Sequence, residues 1–346
     1  MKFKRCWRML SVMALVLLTV PSWGLKNGSY QYLREGNAAD ASGATPKPGY
    51  ALMGGGTDLD EAFQWLCGRA GGGDFLVLRA TGTDAYNPYI QKLCPKLNSL
   101  ATLIIPSREA AEDPAVTRRI AEASGLFIAG GDQANYINFW MGTPVQAALN
   151  GAIARGIPIG GTSAGLAVLG EWAYSAQGDK PDDKDLDSKT VLADPYNARM
   201  TLVHGFLNLP MHYAVITDSH FARRDRMGRL IAFLVRLNEP EGKPLPWTGQ
   251  DRRVRGIGME ERTALLLEPS GKATVVGKGA AYFLLESEDA QVLARGKPLT
   301  LPNIAVSKIT PGESFDLDTW EGGATRYMLS VEDGVLHSDQ AGGAVY

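Results

Sequence analysis

Residues 157–171 read IPIGGTSAGLAVLGE, an apolar run that ends in glycines around one small hydroxyl, Ser163. Glycine allows backbone angles and close approaches that a Cβ forbids. Gly161-Thr-Ser163-Ala-Gly165 therefore fits a sharp strand-to-helix turn that lifts a nucleophilic serine out of the fold. The same five residues also fit an ordinary glycine-rich turn in which Ser163 caps the next helix. A serine nucleophile needs a base within hydrogen-bond reach and an acid that orients the base. The four histidines are His204, His212, His220 and His337. His220 follows the apolar run YAVIT and precedes a helix-like stretch, the same kind of place as Ser163. His204 and His212 flank a loop around GFLNLP, where a structural role suits them, and His337 falls in a late turn, GVLHSDQ. For the acid, Glu260 and Glu261 follow a glycine-punctuated run, and neighbouring strand residues point to opposite faces. Asp218, two residues before His220, is a third candidate.

An acyl-transfer site also needs N–H donors for the oxyanion. The N–H of Ala164 is one candidate, and the loop Gly130-Gly131-Asp132-Gln133 is a source of the other. Arg223, Arg224, Arg226 and Arg229 follow His220, and some share a helical face at spacings of three. Guanidinium forks suit carboxylates, although a charged helix face can equally be solvated.

The elements that must position these residues are legible as alternation. YALMGG, DFLVLRA, ATLIIPS, GLFIAGG and IPIGG read as strands, with helix-like segments between them. Asp113 with Pro114, and Thr143 with Pro144, read as helix caps followed by proline at the first position. AGLAVLGEW reads as the helix after the elbow. The expected fold is α/β, a doubly wound and mostly parallel sheet covered by helices on both faces, with a β-rich C-terminal extension. In such sheets sites form at the carboxyl ends of strands. Residues 176–195 read as a polar loop beside the site. Its Asp182, Asp183, Asp185 and Asp187 lack the glycine and spaced glutamate of a calcium loop and read as solvated.

The 346 residues carry a net charge of −2 and are 45% hydrophobic, enough for a large core and no basis for nucleic-acid binding. Residues 1–24 combine a basic start with the apolar run MLSVMALVLLTV, the layout of a secretory signal too short to span a bilayer. An exported chain, periplasmic or extracellular and free of the membrane after signal removal, is the expectation. Cys67 and Cys94 are then expected to form one disulfide.

FIAGGDQ, PIGGTSAGLAVLGE, TDSHFARRDRMGRL and GIGMEERTAL, in that order, resemble the cyanophycinase family of serine exopeptidases, related to aspartyl dipeptidases. The looser pattern runs from about residue 49 to 285. The resemblance implies the class I glutamine amidotransferase-like fold. It implies a peptidase domain over 25–285, with 286–346 as the extension. It implies Ser163 as nucleophile, His220 as base and Glu261 as acid. Gly131, Asp132 and Ala164 would serve the oxyanion. Gln133, Arg224, Arg226 and Arg229 resemble substrate-contacting positions. It further implies a polymeric or short aspartyl-peptide substrate, no metal or cofactor, and a homodimer. Rival readings are a dipeptidase on short aspartyl or isoaspartyl peptides, an esterase of the α/β-hydrolase kind with His337 as base, and a binder of aspartyl peptides that does not cut.

Overall fold

The computed structural model describes residues 29–180, 183–240 and 253–346. The expected signal segment lies outside the described residues. The strand and helix signals translate locally as the side chains dictate. Asp113 accepts a hydrogen bond from the Ala115 N–H and opens the helix Pro114–Glu122. Thr143 behaves differently: its hydroxyl donates backward to the Trp140 carbonyl, 2.7 Å away. The helix Pro144–Ala154 thus starts on its proline without a side-chain cap.

The strands divide between two sheets. Across the first run Gln31–Gly36, Ser99–Ile104, Asp74–Arg79, Gly125–Ile128, Ile159–Thr162, Tyr50–Met53, Thr263–Leu267, Lys272–Gly277, Ser314–Asp316 and Glu321–Gly322. The five strands from Ser99–Ile104 to Tyr50–Met53 are mutually parallel, and antiparallel strands flank them. The second sheet runs Val335–Ser338, Thr325–Glu332, Leu301–Ile309, Ala281–Glu286, Arg255–Met259, Val215–Asp218, Trp172–Tyr174 and Leu202–His204. Its parallel pairs are those of Val215–Asp218 with Arg255–Met259 and with Trp172–Tyr174. The α/β fold with a parallel centre is present, and residues past 286 add strands to both sheets.

Alternate residues of each central strand face opposite ways. Leu52, Leu76, Leu126 and Ile128 join one apolar cluster, with Ile120, Trp140 and Leu149 of helices on that face. Ala51, Phe75, Val77 and Phe127 join another, with Phe63 and Leu66 of the helix Asp60–Arg69. Cys67 on that helix is disulfide-bonded to Cys94. The second sheet packs Ile216, Tyr282 and Leu284 against the helix Met227–Asn238.

Past the elbow the expected long helix is a single turn, Ala164–Ala167. The Thr217 hydroxyl takes the Leu166 carbonyl, 2.8 Å away. At Gly170 the backbone passes so close to the Trp172 and Val215 carbonyls that no Cβ fits. The chain therefore turns there and enters the second sheet as Trp172–Tyr174.

Candidate active site

Ser163 stands at the carboxyl end of Ile159–Thr162, with φ 53° and ψ −114°. Its backbone N–H donates to the Met53 carbonyl on the neighbouring strand, 3.2 Å away. A Cβ on Gly165 would collide with the Ile128 carbonyl, and one on Gly161 with the Gly165 carbonyl. Both flanking glycines are thus required by close approach, and the strained turn is held by its neighbours.

His220 follows Val215–Asp218 of the second sheet, also at positive φ, 49°. Its N–H donates to the Gly54 carbonyl, 2.8 Å away, which ties it to the end of Tyr50–Met53. Gly55, at φ +91°, passes under the imidazole where a Cβ would strike the ring. The Ser163 Oγ lies 2.7 Å from His220 Nε2, and His220 Nδ1 lies 2.7 Å from Glu261 Oε1. An imidazole that donates from Nδ1 to the carboxylate presents Nε2 as the acceptor of the serine proton. Burial lowers the His220 pKa, the bond to Glu261 offsets part of this, and the charges of Arg224 and Arg226 lower it further. The ring is therefore poised neutral. Burial pushes the Glu261 carboxyl up, but the bond from His220 and the charges of Arg223 and Arg224 outweigh it, leaving it below its ordinary value.

The three acidic candidates have separate partners. Glu260 accepts from the Ala280 N–H and the Tyr282 hydroxyl, at 2.9 and 2.8 Å. Asp218 accepts two bonds from Arg229, at 2.6 and 2.9 Å. Only Glu261 reaches the imidazole. His337 lies exposed on the edge strand Val335–Ser338. His204, also exposed, meets Glu171 at 2.9 Å, and His212 stacks edge-on against Tyr213.

Gly131 and Asp132 follow Gly125–Ile128, and a Cβ on Gly130 would sit 3.5 Å from that of Ser163. The Asp132 side chain caps the helix Gln133–Trp140 by accepting from the Ala134 N–H. Ala164 opens the short helix beyond the serine, and first-turn N–H groups have no partner within their own helix. Backbone donors of both segments thus border Ser163.

Beside them opens a cleft of about 510 Å³, lined by Gly131, Gln133, Tyr174, Asp179, Arg199 and Arg224 among others. Arg224, Arg226 and Arg229, the three arginines that resemble substrate-contacting positions, all line this cleft but are held differently. Arg229, with a side chain only 2% exposed, is committed to Asp218 and lies over the Tyr174 ring. Arg226, also buried, donates to Asp185 and to the Ser219 carbonyl, at 2.7 and 2.8 Å. Arg224 is half exposed, its Nε 3.6 Å from Asp185. Asp185 is exposed, as expected of its loop, but it also faces three guanidiniums, whose charges outweigh its partial burial and lower its pKa. Among the described residues no group of His, Cys, Asp and Glu is arranged to hold a metal ion.

Asp58 is a site residue with no sequence signal, because its segment reads as an acidic helix start. It accepts from the Thr162 hydroxyl at 2.7 Å and the Tyr86 hydroxyl at 2.5 Å, bracing the residue before the serine. Burial raises its pKa, which those two bonds and the nearby His220 offset in part. The Thr162 contact joins residues 104 apart in the chain.

The family described as peptidase family S51 matches residues 52–233, which include Ser163 and His220 but end before Glu261. A cyanophycinase of Trichormus variabilis is 29% identical over 222 residues, covering 62% of this chain and 64% of that protein. A cyanophycinase of Synechococcus elongatus is 26% identical over 223 residues, covering 63% of this chain and 60% of that protein. The chain thus spans less than two thirds of the length of these curated relatives. The crystal structure of a peptidase from an acI-B1 actinobacterium has a TM-score of 0.48 at 17% identity, covering 78% of this chain and 97% of that one.

Proposed function

Because the chain belongs to peptidase family S51, we propose that it is an exported serine exopeptidase. Its substrate on this reading is cyanophycin, a poly-aspartate chain with arginine joined to each side-chain carboxyl, and its product is β-aspartyl-arginine dipeptide. The observation that carries the reading is the continuous hydrogen-bonded line Ser163–His220–Glu261, at 2.7 Å in both links. The curated relatives named cyanophycinase support the substrate class.

Ser163 Oγ attacks the carbonyl carbon of an aspartyl peptide bond as His220 Nε2 takes its proton. Glu261 holds the ring by Nδ1–H and stabilises the imidazolium. The N–H groups of Ala164 and of Gly131 or Asp132 receive the tetrahedral oxyanion. Collapse breaks the C–N bond, the imidazolium proton passes to the leaving amine, and an acyl-Ser163 remains. Water, deprotonated by His220, then attacks the ester, and the serine regains its proton. Gln133 and Arg224, on the cleft wall, contact the substrate's polar groups.

The test is incubation of the chain from Leu25 with insoluble cyanophycin, with Ser163→Ala in parallel and soluble product identified by mass spectrometry. The parent should release β-aspartyl-arginine, and the variant should be slower by about a million-fold while folded. A folded parent that releases nothing removes the polymer. Cleavage of short aspartyl peptides alone would then assign a dipeptidase.

A further inference from the structure

The mechanism uses only the strand ends, yet an aromatic cluster joins the two loops that carry its base and its acid. Phe221, fully buried, directly follows His220, and its N–H donates to the Met259 carbonyl at the end of the strand leading to Glu261. Tyr282 holds Glu260, the residue before Glu261, by its hydroxyl. The Phe221 and Tyr282 rings lie 5.4 Å apart. A third ring comes from the far end of the sequence. Tyr346 meets both rings edge-on, at 5.9 Å each.

Tyr346 is also fixed by polar contacts. Its hydroxyl accepts from the Met227 N–H at 2.9 Å and donates to Asp225 at 3.1 Å. Both partners close the turn that follows His220 and carries Arg224 and Arg226. The preceding Val345 carbonyl accepts from the Tyr327 hydroxyl, 2.7 Å away, which anchors the segment to the second sheet.

The backbone around the site explains why such a brace is needed. His220 at φ 49°, Asp225 at φ 48° and Arg262 at φ 55° are all left-handed non-glycine residues. Such backbone is unfavourable for a residue with a Cβ and persists only where its surroundings over-determine it. His220 and Glu261 lie on loops outside the strands, so their mutual placement depends on what packs beneath them.

We propose that Tyr346 is a positioning residue: its ring, wedged against Phe221 and Tyr282, holds His220 and Glu261 in line with Ser163. It touches neither substrate nor reacting atoms, and its role rests on the assignment of Ser163, His220 and Glu261 as the reacting set. The ring contacts carry the effect, and the hydroxyl adds support to the turn.

The experiment compares the parent with Tyr346→Leu and Tyr346→Phe. Leucine keeps apolar bulk so that the chain folds, and phenylalanine keeps the ring. Three quantities are read: the rate at which a fluorophosphonate labels Ser163, kcat and KM on soluble cyanophycin, and the thermal midpoint. Tyr346→Leu should slow labelling and lower kcat by about ten- to a hundredfold, the scale of a small misplacement of reacting groups. KM should stay close to that of the parent, and the midpoint should stay above the assay temperature. Tyr346→Phe should recover most of the rate. A labelled parent with an equally fast Tyr346→Leu overturns the inference alone. So does a Tyr346→Phe as slow as Tyr346→Leu. A folded parent that is neither labelled nor active overturns the peptidase reading, and the inference with it.

Discussion

At the scale of single residues, the site is a balance of burial against charge around one imidazole. Only the neutral form of His220 can accept the Ser163 proton. Burial lowers its pKa from the ordinary 6.5. The dependence of kcat/KM on pH should therefore rise through a midpoint below 6.5 and stay level at neutral pH. Glu261 acts in the opposite sense, since its bond and charge favour the protonated ring. Glu261→Gln should thus move the acid limb to still lower pH. It should also slow turnover by about ten-thousandfold, through loss of the orienting carboxylate. A pH–rate profile of both proteins checks this, and an acid limb that moves upward would contradict the assignment of roles.

At the scale of elements, the loop after Val215–Asp218 and the first turn of the helix Met227–Asn238 carry arginines that look alike in the sequence and differ in the fold. The Arg229 and Asp218 side chains are 2% and 3% exposed and paired at 2.6 Å. Removing one partner of a buried pair leaves the other charge uncompensated. Arg229→Leu should cost about 3–5 kcal/mol of stability, so its loss of activity would follow its loss of fold. Arg224 is 43% exposed at the cleft. Arg224→Ala should leave stability within about 0.5 kcal/mol and raise KM by about tenfold, the scale of one charge-assisted hydrogen bond. Urea titrations beside steady-state kinetics separate the two. Another link between elements is the disulfide from the helix Asp60–Arg69 to Cys94, just past the helix Tyr86–Leu93, closing 27 residues. Reducing it should lower stability by about 3–4 kcal/mol on the chain-entropy account. Unfolding midpoints with and without reductant measure the difference.

At the scale of the whole molecule, two sheets share one site. The turn Glu260–Arg262 carries the chain from Arg255–Met259 in the second sheet to Thr263–Leu267 in the first, and Glu261 sits in that passage. Ser163 comes from the first sheet and His220 from the second, so the site exists only when both are assembled. The end of the interior strand Ala281–Glu286 in the second sheet holds a different acidic pair. Burial, then the neighbouring Glu239 carboxyl, push the Glu286 pKa from 4.5 up to about 8. The fold therefore favours the neutral acid there. Its contribution to stability is fully present below the unfolded value and is lost as pH rises through the folded one. Urea unfolding should show stability falling between about pH 5 and about pH 9, and Glu286→Gln should remove much of that fall. An equal fall in the variant would assign the pH dependence to other groups.

The sequence by itself determined the alternation of strands and helices, the elbow at Ser163 and the place of His220 at a strand end. These follow from short-range physics: side-chain periodicity, the reach of a cap, and glycines where the backbone must pass closely. It left the acid open among Asp218, Glu260 and Glu261, because direction at a strand end depends on the turn that follows. In the fold, Tyr282 and Ala280 take Glu260, Arg229 takes Asp218, and Glu261 is left facing the imidazole. The helix expected after the elbow is one turn because the chain must bend at Gly170, pressed against the Trp172 and Val215 carbonyls, to enter the second sheet. Asp58 and Tyr346 were invisible because their partners are distant in the chain. Asp58 meets Thr162 across 104 residues through the pairing of neighbouring strands in the first sheet, and Tyr346 meets Met227 and Asp225 across 119 and 121 residues in the core of the second, contacts that only the tertiary fold creates.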